Sequence, residues 1–185
     1  LGSLSLFYLL YFLVVFMDSL TAFIQLFTLA DVEAGQRITE RLSLVLRDPV
    51  AYQAEYAEEL AERGIETKLP AQELRDVALI DALWSEDLAW ENDWKDSLDD
   101  MAQYVNETLV KQGRTQLLDE NALAMNAATG PEALDVLQDA LEPLGLALVL
   151  LTLGGDSYPL SIVAEADAET MRQLAAGLGF KVAVY

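Results

Sequence analysis

Asp81 is the residue here whose surroundings make its type informative. On a helical wheel it falls with Leu74, Val77, Ala78 and Trp84, inside the apolar face of a helix expected over residues 71–84. A carboxylate there needs a partner. Desolvation raises its pKa, while a nearby cation such as Lys95 or several N–H donors lower it, so the environment decides between acid, ligand and strut. A hydrogen bond to a Trp indole or to loop amides makes it structural, since buried polar groups are normally paired. The second candidate is Asp93-Trp94-Lys95, where Glu86, Asp87, Glu91, Asp93, Asp96, Asp99 and Asp100 surround one lysine. Such clusters can hold Ca²⁺ or Mg²⁺, but alternating acids followed by Gly and a distal Glu are missing, so no metal or other cofactor is expected. The third is Gly154-Gly155-Asp156-Ser157-Tyr158, which offers backbone N–H groups to an anion and Ser157 as a nucleophile. A phosphate loop runs from strand into helix and carries a lysine, whereas this loop joins two expected strands. A hairpin turn using glycine at positive φ accounts for it without any activity.

Composition narrows the chemistry further. Across 185 residues there is no cysteine and no histidine. Disulfides, thiol nucleophiles, Cys/His zinc sites, Ser-His-Asp triads and imidazole acid–base catalysis are therefore excluded. Ser157 is left with Lys, Tyr or a carboxylate as its only bases. The balance of 11 basic against 31 acidic residues gives a net charge of −20. That field repels phosphate backbones and anionic membrane surfaces, so neither nucleic acid nor membrane is an expected partner. It favours encounter with a basic protein. Absence of cysteine fits a reducing cytoplasm.

The elements that must position these residues are well punctuated. Val32, Ile38, Leu42 and Leu46 share a stripe that predicts a helix over about 32–46. Asp48-Pro49 starts another over 49–63, with Tyr52, Tyr56 and Leu60 recurring every fourth position and Gly64 as the stop. The Trp-rich segment over 88–95 is expected to be extended, with Trp90 and Trp94 on one face and Glu91, Asp93 and Lys95 on the other. Trp90, Trp94 and Tyr158 are then core or interaction anchors. Ser97 caps a helix through about Gln112, and Asn106-Glu107-Thr108 within it is discarded as a glycosylation acceptor. Residues 131–144 form a further helix, and the continuous apolar run 146–153 suits a strand buried on both faces. Residues 158–163 return as a second strand, Asp167 caps a last helix ending at Gly179, and 180–185 alternates as a third strand. Pro159 removes a ladder donor, which places its strand at an edge or a bulge. The expected architecture is α+β: N-terminal helices packed with a small mixed sheet containing a C-terminal β-β-α-β unit.

The first residues stand apart. Leu1-Gly2-Ser3 has the composition of a scar from a cleaved tag, and residues 4–16, from Leu4 to Phe16, form an apolar helical extension. Residues 17–185 are then one α+β domain. The extension is expected to bury Phe7, Tyr8, Leu10, Tyr11, Phe12 and Val14 in a homodimer, because an exposed face of that kind seeks a second surface.

Several segments in order resemble a known family. They are Arg47-Asp48-Pro49-Val50-Ala51-Tyr52, Leu60-Ala61-Glu62-Arg63-Gly64-Ile65, Leu79-Ile80-Asp81-Ala82-Leu83, Asp93-Trp94-Lys95 and Gly154-Gly155-Asp156-Ser157-Tyr158. Together they are similar to a bacterial domain of unknown function, number 6630, over about residues 17–185. The resemblance implies a bacterial cytoplasmic protein and brings no activity with it. The residues themselves favour a non-enzymatic acidic interaction module, of an inhibitor or immunity-like kind. A carboxylate-based or metal-dependent hydrolase using Asp81, Asp93 and Asp156 is the alternative, and convergence of those acids in one pocket separates the two.

Overall fold

The computed structural model describes residues 2–151 and 157–185, with side chains from residue 14 onward. Nine helices and four strands are described there: α1 (Gly2–Thr28), α2 (Val32–Arg47), α3 (Pro49–Glu55), α4 (Ala57–Glu62), α5 (Ala71–Trp84), β1 (Trp90–Asp93), α6 (Leu98–Lys111), α7 (Glu120–Ala124), α8 (Pro131–Leu141), β2 (Leu146–Leu151), β3 (Ser157–Ala164), α9 (Ala168–Leu178) and β4 (Val182–Val184). Local chemistry accounts for most of the boundaries. The Asp31 carboxylate accepts from Ala34 N at 3.0 Å to start α2, and Asp48 accepts from Ala51 N at 3.0 Å to start α3, with Pro49 in the first turn. Ser97 Oγ accepts from Asp100 N at 3.4 Å and donates to Asp100 Oδ2 at 2.6 Å, a variant of the capping box. Gly64, at φ +78°, ends α4, and Ile65 N reaches back to Leu60 O at 2.8 Å.

The four strands form one sheet in the order β1-β3-β2-β4, every neighbouring pair antiparallel. The expected mixed sheet is therefore an antiparallel one. β3 and β4 do run the same way across α9, but β2 lies between them. Helices cover both faces of the sheet. Ala147, Val149, Leu151 and Val163 join α1, α2, α5 and α9 in one core, where Phe23 stacks on Phe180 at 5.4 Å. Leu146, Leu148, Leu160 and Ile162 join Trp90 with α6, α7 and α8 in the other. That two-sided burial is what the unbroken apolar run of β2 signalled. Pro159 lies inside the sheet opposite Glu91, one residue beyond the last β2 partner of β3 at Leu160, so its strand is an edge only locally.

Other departures from the sequence reading have tertiary causes. The helix expected over 49–63 is two helices meeting at Tyr56, where Tyr52 and Tyr56 stack at 4.6 Å and the Arg41 guanidinium covers the Tyr56 ring at 4.1 Å. The Trp-rich strand stops at Asp93, and Trp94 sits exposed in the following turn instead of sharing the face of buried Trp90. Asp167 makes no side-chain cap, because a 3₁₀ turn precedes α9. α1 continues unbroken through the expected N-terminal helix. Its distal half is core through Leu20, Phe23, Ile24 and Phe27, while Val14, Val15 and Met17 are exposed on the single chain. The expected burial of Phe7, Tyr8, Leu10, Tyr11 and Phe12, the Leu1 part of the scar, and the turn over 152–156 lie outside the described residues. Among the described residues no helix is long and apolar enough to cross a membrane.

Candidate functional site

Asp81 lies on the buried face of α5, 7% exposed, as the helical wheel requires. Its partners are arginines, not an indole, loop amides or Lys95. Arg63, just past the end of α4, donates from Nε to Asp81 Oδ1 and from Nη1 to Glu91 Oε1 of β1 at 2.7 Å. Arg41 on α2 brings Nη2 to 3.6 Å from Asp81 Oδ2 and 2.8 Å from Glu59 Oε2, and its Nε donates to the Tyr52 hydroxyl at 3.1 Å. Four elements thus meet in one ionic network: α2, the α4 region, α5 and β1. Burial pushes the Asp81 carboxyl above its usual range, against the opposing pull of Arg63 and Arg41. Burial also works against both guanidinium charges, but Glu91 and Asp81 around Arg63, and Tyr52 and Glu59 around Arg41, more than compensate, so both arginines are held more firmly protonated. Tyr52, deprived of solvent, is pushed well above the ordinary phenol range.

The network leaves atoms without hydrogen bonds. Asp81 Oδ2, Arg63 Nη2 and Arg41 Nη2 are all buried and have no hydrogen-bond partner among the described residues; the Arg41 contact to Glu59 is an ion pair without hydrogen-bonding angles. Beside them, Glu59, Glu62, Arg63, Asp81, Trp84 and Ser85 line an open cavity of about 410 Å³. Trp84 is about half exposed, and Arg63 lies over its ring at 4.9 Å.

The other candidates gather elsewhere. Asp93 and Ser157 face each other at one end of the β1–β3 ladder, with Tyr158 opposite Asn92. Asp93 Oδ1 accepts from Lys95 N at 3.0 Å, and Asp96 Oδ2 accepts from Asp93 N at 2.8 Å and from Asn92 Nδ2 at 2.9 Å, so these acids close their own turn. Lys95 Nζ rests over the Trp94 ring at 4.8 Å. Trp90 is buried and donates its indole N–H to Asn92, Tyr158 is half-buried, and Trp94 is the exposed one of the three. Asp156 lies outside the described residues. Asp81 and Asp93 thus belong to different clusters. Among the described residues no group of three or more His, Cys, Asp or Glu is placed to hold a metal ion.

Sequence reasoning missed Arg41, Arg63 and Trp84. Arg41 had a legible signal: it sits between Ile38 and Leu42 on the buried stripe of α2, as Asp81 does on α5, and two opposite charges on apolar faces ask for each other. Arg63 had none, since a cation next to a helix-ending glycine is commonplace.

The family model described as Domain of unknown function (DUF6630) matches residues 19–185, and the chain belongs to that family. No curated protein matches, and no solved structure matches.

Proposed function

We propose that this chain is a non-enzymatic interaction module whose acidic surface receives a basic protein partner, in the manner of an inhibitor or immunity protein. One observation carries the reading. Of the 11 basic residues, Arg37, Arg41, Arg63 and Arg172 are already engaged by carboxylates of the same chain, so the net charge of −20 is presented outward largely by unpaired acids. Such a surface attracts a cationic partner and orients its approach. The dispersal of Asp81 and Asp93 supports the same side. A carboxylate hydrolase needs acids aimed at one reacting atom, and Asp81 instead faces guanidinium groups. The reading places the protein in the cytoplasm, where a chain free of cysteine is unaffected by the reducing environment. It also pairs two copies through residues 4–16, because Val14 and Val15, at the end of that apolar segment, are exposed on the single chain.

Affinity capture tests it. The immobilised chain, set beside immobilised polyglutamate, is exposed to soluble extract of the producing cell at low salt. A protein retained by the chain alone and released by added salt is the expected result. Recovery of the same proteins on both supports, or of none, contradicts the proposal.

A further inference from the structure

We infer that the groove between α1 and α2 is the seat for residues 4–13 of a second copy of this chain, entering antiparallel to α1. The inference rests on the pairing of two copies proposed above, not on the basic partner, and names the surface that the paired segment covers.

The groove runs from Thr21 to Leu29 along α1 and from Asp31 to Glu40 along α2, with a volume of about 320 Å³. Ile24 and Thr28 are buried in it, and Leu29 and Val32 are exposed at its far end. Thr28 donates its hydroxyl to Ile24 O at 3.3 Å and Thr39 donates to Gly35 O at 2.6 Å, so both hydroxyls are satisfied by their own helices. An apolar helix covers them without leaving either unpaired. Exposed apolar side chains also gather here. Of the 13 large ones exposed among the described residues, Val14, Val15, Met17, Leu29 and Val32 fall within residues 14–32.

Charge selects the partner. Asp18 is the sole charged residue of α1, in a chain with 11 basic and 31 acidic ones. Asp31 and Glu40 are the charged residues lining the groove, and the Asp31 carboxylate is engaged by Ala34 N at 3.0 Å. A basic protein finds little to pair with on this face. Two copies at −20 each repel, and a face with so few charges is where they approach at least cost.

Helical continuity decides which copy supplies the segment. α1 is one helix from Gly2 to Thr28, so its own first residues run away from the groove and cannot fold back into it. α2 lies antiparallel beside it, with Ser43 Oγ 3.7 Å from Met17 Sδ, and ends at Arg47 about 6 Å further on, so the earliest turns of α1 lie beyond α2. Counting back from Thr21 in steps of three and four, the sequence places Met17, Val14, Tyr11, Phe7 and Leu4 on one stripe. A two-fold axis at Phe16, where the apolar run meets the body, sets Tyr11 of the second copy against Thr21, Phe7 against Gln25 and Leu4 against Thr28.

The absence of cysteine makes cross-linking selective. The whole chain carrying both Tyr11→Cys and Thr21→Cys is oxidised with copper–phenanthroline in air, and a covalent dimer on a non-reducing gel is expected. Tyr11→Cys combined with Glu132→Cys, on α8 across the sheet, is expected to give none. Light scattering supplies a second readout. Gln25→Glu, an exposed position, sets a charge against Phe7 of the second copy and raises the dimer dissociation constant about tenfold or more. Gln116→Glu adds the same charge in the α6–α7 loop and leaves it unchanged. A dimer in which positions 11 and 21 do not cross-link, or one indifferent to Gln25→Glu, overturns the groove and keeps pairing through residues 4–16. A monomer at every concentration, or a chain that floats with phosphatidylcholine vesicles in place of forming a dimer, overturns both.

Discussion

Replacing Asp81 by Asn separates a strut from a functional acid. The substitution keeps the side-chain volume and removes the charge that Arg63 and Arg41 share. Asp81 is 7% exposed on its side chain, and its partners are 18% and 9% exposed, so water cannot replace the lost carboxylate. Breaking a buried ion pair by removing one partner costs about 3–5 kcal/mol. Arg63 keeps Glu91 at 2.7 Å, and Arg41 keeps Glu59 at 2.8 Å and the Tyr52 hydroxyl at 3.1 Å, which sets the loss at the lower end, about 3 kcal/mol. With a urea slope of about 2 kcal/mol per molar, the unfolding midpoint falls by about 1.5 M. Arg63→Gln should lose a comparable amount. The double variant should lose less than the two singles summed, with a coupling of about 1–3 kcal/mol. An unchanged midpoint refutes the structural assignment. A raised midpoint refutes it more strongly, because an acid held for chemistry against the preference of the fold gives up stability to do so.

Other perturbations read separate parts of the molecule. Glu86 takes two hydrogen bonds from Arg37, at 2.6 and 2.8 Å, which hold its carboxyl below the ordinary value. Its stabilising contribution is in place above the unfolded pKa and is lost as pH falls through the depressed folded one, so the urea midpoints of wild type and Glu86→Gln converge toward acid. Gln138 on α8 donates to Leu146 O at 3.3 Å and accepts from Leu148 N at 2.8 Å, sealing the stretch of β2 that β4 leaves open; Gln138→Leu should cost about 2 kcal/mol in chemical unfolding. Deleting residues 1–16 should convert a dimer to a soluble monomer by light scattering, and a dimer that survives the deletion contradicts pairing through that segment.

How far the sequence carries can be judged residue by residue. The apolar run of β2, the caps at Asp48 and Ser97, and the stops at Gly64 and Gly179 are local signals, and a strand, a helix start or a helix end lies at each, although nothing local marked the break at Tyr56. Sheet order was not legible, because β1 and β3 pair across more than sixty residues with nothing local to name the partner. The short α7 escaped for a related reason: its Asp119 cap is readable, but Leu123 is its only buried residue, so periodicity says nothing. For the site, Asp81 was legible as a buried acid because its wheel position is a property of one helix. Its partners come from α2 and the end of α4, and only the packed structure brings them to it.

The central claim is that this acidic surface exists to meet a basic partner. Calorimetric titration of the captured partner against the chain, from about 0.05 M to about 0.5 M NaCl, tests it most directly, since screening lengths fall several-fold over that range. The account predicts an affinity that drops steeply with salt. Affinity that holds constant across the series contradicts it.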